Sequence, residues 1–141
     1  MATTADIDAT LERYYAAWTH DDPALYRTIW ADGAVFADPP TDGELPATGV
    51  EEIVAAMAAV QARATAIHYD RRTTWYCGHS VAVHSLVTLT MAEGTAEMPL
   101  LHVFRFADDG RIRRLEAFFD LSLVTMVAGE RPAWMVPAPR D

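Results

Sequence analysis

Three side chains are candidates for proton chemistry: Asp38, Tyr14 and His102. Asp38 closes a short extended stretch, residues 34–38, and is followed by Pro39-Pro40. A residue before proline is pushed out of the α region, so Asp38 belongs at a strand end or turn. If that end opens onto apolar side chains, the carboxylate is poorly solvated, its pKa rises, and it becomes a better base near neutral pH. An Asp-Pro pair also forms turns without any chemistry. His102 alternates with Met98, Leu100, Phe104 and Phe106 on one apolar face of a strand. There a neutral imidazole donates one hydrogen bond, or it is simply a satisfied core histidine. Tyr14 is a phenol within an aromatic helical stripe and can equally be core.

Other reactive residues form no pattern. His79 and His84 are five apart in a strand, point to opposite faces, and make no ligand set with His68, so no metal site is expected. A glycine-rich phosphate loop and a Gly-x-Ser-x-Gly elbow are both missing from the sequence. The single cysteine, Cys77, lies in a strand-like run, reads as a small core hydrophobe, and cannot form an internal disulfide. That suits a reducing cytoplasm.

The elements that must position these groups follow from periodicity. Ile7, Leu11, Tyr14, Tyr15 and Trp18 recur at helical spacing. Asp22 caps a second helix that begins at Pro23 and carries Leu25, Tyr26, Ile29 and Trp30 on its apolar face, with Asp32-Gly33 ending it. Residues 41–48 read as a loop with Asp42-Gly43 and Pro46. A capping box from Thr48 to Glu51 opens a third helix with Val50, Ile53, Val54, Met57 and Val60. Four long strands follow over 67–77, 80–92, 95–107 and 111–120, the last two joined by the hairpin turn Asp108-Asp109-Gly110. Helices preceding a meander of antiparallel strands define an α+β domain, 1–128, with a proline-rich tail, 129–141. Trp134, Met135 and Val136 make that tail more apolar than a solvated one needs, so it either covers a pocket mouth or a partner subunit, or stays disordered.

Helix-helix-strand-helix before a curled sheet resembles the nuclear transport factor 2-like superfamily, and within it the ketosteroid isomerases and SnoaL-like polyketide cyclases. The residues that carry the likeness are Trp30-Ala31-Asp32-Gly33-Ala34-Val35-Phe36-Ala37-Asp38-Pro39, then Gly49 and Glu51-Glu52-Ile53. A second set is His102-Val103-Phe104-Arg105-Phe106, Asp109-Gly110-Arg111-Ile112 and Ala117-Phe118-Phe119. The resemblance implies a cone-shaped barrel of curved antiparallel sheet on three helices. It also implies that Asp38 is the proton-shuttling base, Tyr14 the oxyanion tyrosine, and His102 the replacement for a protonated aspartic acid donor. Trp30 and Met57 fall where the isomerases often carry further tyrosines, and Phe119 falls at a pocket aromatic. Leu100, Phe104, Leu115 and Ala117 complete the implied apolar lining. SnoaL-like cyclases use an aspartate on the last strand, where this chain has Ala117, with Asp120 three residues on.

Composition bounds the partners. At 141 residues, just over half of them hydrophobic, the chain suits one globular domain. A formal charge of −9 argues against nucleic acid, and no apolar run reaches the roughly 20 residues of a membrane helix. Residues 1–10 carry Asp6 and Asp8 and no basic residue, unlike a signal or transit peptide. The expectation is a cofactor-free cytoplasmic enzyme acting on a hydrophobic carbonyl compound, dimeric through the outer sheet face at Leu101, Val103 and Phe118. The alternative is a binding or assembly module of the same fold without chemistry.

Overall fold

A computed structural model describes residues 1–40 and 45–137; Asp42-Gly43 of the expected loop and Pro139 of the tail lie outside them. Helix α1 spans Thr4–Thr19 and starts on a capping box: Thr3 accepts from the Asp6 amide while the Asp6 carboxylate accepts from Thr3 N at 2.8 Å. Its buried face is Ile7, Thr10, Leu11, Tyr14, Tyr15, Ala17 and Trp18. Helix α2, Pro23–Thr28, has Asp22 as its cap, accepting from Leu25 N at 3.0 Å.

The first difference from the sequence reading lies here. Trp30 does not continue α2 but opens strand β1, Trp30–Ala37, and pairs with Ile112. Ile112 N donates to Ile29 O at 2.8 Å, so strand pairing takes over the position that helical spacing would give to α2. Asp32-Gly33 then lies inside β1, where the register shifts between Trp30 and Val35 and Gly33 takes φ +67°. This is a bulge and not a helix stop.

Strand β2, Ala47–Thr48, leads into α3, Val50–Gln61, whose N-cap is Gly49 with no side-chain cap. The Thr48–Glu51 capping box does not form. Glu51 instead pairs with Arg27 of α2, and Glu52 accepts weakly from Thr48 N at 3.5 Å. The remaining strands are β3 Ala66–Cys77, β4 Ser80–Met91, β5 Gly94–Phe106, β6 Ile112–Phe118 and β7 Thr125–Gly129. They form one sheet in the order β2-β1-β6-β5-β4-β3, with β7 also on β5. All pairings are antiparallel except β1–β6, which runs parallel. The sheet curls over the helices but does not close: the path ends at β2 and β3.

Strand β7 is absent from the sequence reading, and its pairing explains how the chain returns across the cone. β5 gives Leu101–Phe106 to β6 and Gly94–Glu97 to β7. The crossing of β5 and β7 is close. A Cβ on Gly94 would stand 2.1 Å from Ala128 O, and one on Gly129 would stand 2.1 Å from Glu93 O. Only glycine tolerates that approach. Cys77, expected in the core, is exposed: it ends β3, the strand at the edge of the sheet, whose residues from Asp70 onward are all exposed.

Candidate active site

The inward faces of β4, β5 and β6 bury Val81, Val83, Val87, Leu89, Leu100, His102, Phe104, Phe106, Leu115 and Ala117 against α1. Alternation along β5 is therefore what carries His102 inward, where it is 2 % exposed. Two phenols of α1 meet it. Tyr15 Oη lies 2.9 Å from His102 Nδ1, and Tyr14 Oη lies 3.5 Å from Nε2. Adjacent positions on a helix diverge by about 100°, so Tyr14 and Tyr15 straddle the imidazole from two sides. Their rings meet edge-on, with centroids 5.1 Å apart.

Burial sets the charge state of the group. It pushes the His102 pKa down to about 3, so the ring is neutral at physiological pH. The same cause holds both Tyr14 and Tyr15 well above the usual phenol range, so both keep their protons. A neutral imidazole has one N–H. When Tyr15 donates to Nδ1, the proton sits on Nε2, the nitrogen nearer Tyr14. Tyr15 is itself steadied from outside: the Arg71 guanidinium lies 4.7 Å from the Tyr15 ring centre and forms a two-pronged ion pair with Glu12 at 2.7 and 3.1 Å.

A cavity of about 110 Å³ lies against this cluster, and Tyr14, His102 and Asp38 all line it. Asp38 follows β1 directly, and its peptide bond to Pro39 is cis. By surface area Asp38 is an exposed residue, yet its pKa is raised to about 6 by desolvation. The two fit together because the carboxyl also borders an open groove of about 720 Å³ between β1 and α3. Its accessible surface faces concave protein walls. Burial is thus incomplete, yet these walls still desolvate the carboxyl and raise its pKa.

The other lining candidates divide. Leu100, Ala117 and Phe119 line the cavity, together with Trp18, Phe36, Val60, Ile67 and Tyr69. Trp30, Met57, Phe104 and Leu115 do not; each is at most 2 % exposed and packed in the core. Phe104 and Trp30 act at one remove, as edge-on neighbours of the Tyr14 ring at 5.1 and 6.4 Å. Asp120, at the start of the 3-10 turn Leu121–Leu123, accepts from Ser122 N at 2.9 Å and so caps that turn. Tyr15 and Tyr69 were missing from the sequence-based set. Tyr15 belongs to the stripe that named Tyr14, and Tyr69 alternates inward with Ile67, so the signal for both was present. Among the described residues no group of three or more His, Cys, Asp or Glu could hold a metal, and no helix is long and apolar enough to cross a membrane.

No curated protein shows a significant sequence match to the chain. Solved structures match the fold closely at low identity. A protein of ketosteroid isomerase-like fold from Catenulispora acidiphila, in complex with trimethylamine, is 19 % identical with a TM-score of 0.71, covering 81 % of this chain and 87 % of its own. A Jannaschia protein described as a SnoaL-like polyketide cyclase is 16 % identical with a TM-score of 0.73, covering 86 % and 92 %. An epoxide hydrolase of LEH-like type from Mycobacterium tuberculosis is 18 % identical with a TM-score of 0.70, covering 85 % and 86 %. At these identities the likeness shows the fold alone. The SnoaL-like domain family matches residues 11–115, well over half of the chain. With its three helices under a curled, open sheet, the chain belongs to the SnoaL-like domain family of the nuclear transport factor 2-like fold.

Proposed function

We propose that this protein is a cofactor-free enzyme that moves a proton next to the carbonyl of a hydrophobic small molecule, with Asp38 as the general base. The observation that carries this reading is the convergence on one cavity of a carboxyl with a raised pKa and two neutral donors. In the reaction the Asp38 carboxylate takes the proton from the carbon beside the carbonyl. The bonding electrons move onto the carbonyl oxygen, giving an enolate. Tyr14 Oη–H and His102 Nε2–H donate to that oxygen, and Tyr15, donating to Nδ1, keeps the imidazole proton on Nε2. The protonated Asp38 then returns its proton to a different carbon, which isomerises a double bond. Alternatively, the enolate carbon attacks a second carbonyl of the same substrate, which closes a ring, and protonated Asp38 returns its proton to the alkoxide oxygen so formed. Both outcomes share the first step.

The test is exchange of the protons next to the carbonyl of cyclohexanone in deuterium oxide, followed by proton NMR with and without the protein. Acceleration is expected. Binding of the ketone without acceleration, with the four tryptophans reporting the binding by fluorescence, would favour a binding module over an enzyme.

The working unit in this reading is a homodimer. On the outer sheet face Trp75 is paired through Ala82 to Val103, and His84 through Leu101 to Phe118. Trp75 is 54 % and Phe118 44 % exposed, so this face carries apolar surface that a second copy would cover. Light scattering at micromolar concentration should give about twice the 15.6 kDa of one chain. A monomer mass would contradict the dimer and leave the proton-transfer reading standing.

A further inference from the structure

The cavity is finished by residues from outside the cone. Trp134 and Met135, on the 3-10 turn Ala133–Met135, both line it, and Met135 is fully buried in the apolar core. They lie after the last strand and beyond the segment that matches the family.

This segment is attached in a particular way. The last backbone bond from the tail to the body is Glu130 N to Glu93 O at 3.1 Å. Beyond it, Met135 N donates to Pro132 O and Val136 N to Ala133 O, both within the segment. Among the described residues, no backbone hydrogen bond ties residues 131–137 to the sheet or helices. Side chains hold it instead. The Arg131 guanidinium donates to Val124 O at 2.6 Å and to Leu121 O at 3.5 Å, and the Arg63 guanidinium lies 5.3 Å from the Trp134 ring centre. A segment held by side chains alone opens locally more readily than a laced strand.

The space behind it is small. At about 110 Å³ it lies well below the roughly 300–1,000 Å³ usual for pockets that take larger ligands. Met135 is the fully buried side chain that this segment contributes to the cavity wall.

We propose that Met135 is a specificity-determining stopper: it sets the cavity to a single ring, and the segment 132–136 swings out to admit a ligand of two or more fused rings. The proposal rests on the reading of this cavity as a ligand site and adds to it the size class of the ligand and its route of entry. Met135 is the ligand's stand-in, a flexible thioether that fills the space when the ligand is away.

The test uses the full chain carrying Asp38→Asn, so that no turnover depletes the ligand, with cyclohexanone and 1-tetralone as the one-ring and two-ring probes. The Trp134 indole N–H is followed in proton–nitrogen NMR spectra, assigned with Trp134→Phe. Tetralone should move that resonance toward its position in a free chain, and cyclohexanone should leave it in place. Adding Met135→Ala should tighten tetralone binding roughly tenfold or more while changing cyclohexanone little, since a pocket discriminates about that strongly by ligand size. Arg63→Gln, at an exposed position whose guanidinium lies over the Trp134 ring, should tighten tetralone in the same direction with the core intact. Equal tetralone affinity with and without Met135→Ala, or tetralone bound with the Trp134 resonance unmoved, would overturn the stopper alone. If neither ketone binds any variant, the ligand site itself is wrong and both readings fall. If ketone exchange proves independent of Asp38 while these shifts occur, only the base assignment fails.

Discussion

Asp38→Asn is expected to lower turnover on an enolisable ketone by about 10²- to 10⁴-fold, the usual contribution of a positioned general base. Asparagine keeps the shape of the side chain but cannot accept the proton. The loss should therefore appear in kcat, with KM unchanged or slightly lower, because the change removes a charge from walls that solvate it poorly. The parent rate should also carry an acid limb. Asp38 is active as the carboxylate, so the rate rises with pH up to about 6, where the raised pKa lies, and then levels off. His102 cannot produce that limb, since burial holds its pKa down to about 3. Steady-state kinetics from pH 4.5 to 8 separate the two.

His102→Ala and Tyr14→Phe should each cost about 10- to 1,000-fold in kcat, the range for losing one donor to an oxyanion. The histidine change has a structural side effect. Tyr15 Oη would lose its partner at 2.9 Å, and a buried hydroxyl left unpaired costs about 1–3 kcal/mol. His102→Gln separates these contributions, because it can donate to the ligand and still meet a tyrosine. It should recover part of the rate lost in His102→Ala at similar folded stability, judged by urea unfolding. A Gln variant no faster than the Ala variant, with stability restored, would mean that His102 supports Tyr15 and does not touch the ligand.

How far these residues could be read from the sequence follows from local and non-local physics. The stripe of α1 and the alternation of β5 are local signals. They bring Tyr14 and His102 inward, and they hold in the fold. The break before Pro39 is local as well, and it does end β1 at Ala37. Trp30 was lost to α2 because Tyr26 and Trp30 are four apart, a helical spacing, while its partner in β6, Ile112, is far away in sequence. The same non-local pairing makes β1–β6 parallel and turns Asp32-Gly33 into a bulge. Strand β7 escaped because Thr125–Gly129 has no strong alternation. It is defined by Gly94 and Gly129 crossing at a distance no side chain permits, which only the folded chain reveals. The tail's apolar trio was visible in the sequence, but its place in the cavity depends on where β7 ends and so on the whole sheet.

The central claim is that the surroundings of Asp38 make it a base tuned near neutral pH, and its titration tests this without any substrate. Carbon-13 labelling of the aspartate carboxyls, with Asp38 assigned by its absence in Asp38→Asn, gives its protonation curve directly. The account predicts a midpoint near 6, raised by desolvation. Between the unfolded value of 3.8 and that midpoint the folded chain binds the extra proton, so folding stability should fall as pH rises through this window and Asp38→Asn should remove that slope. A midpoint near the ordinary aspartate value, with the same slope in both proteins, would mean a water-solvated turn residue and would contradict the account.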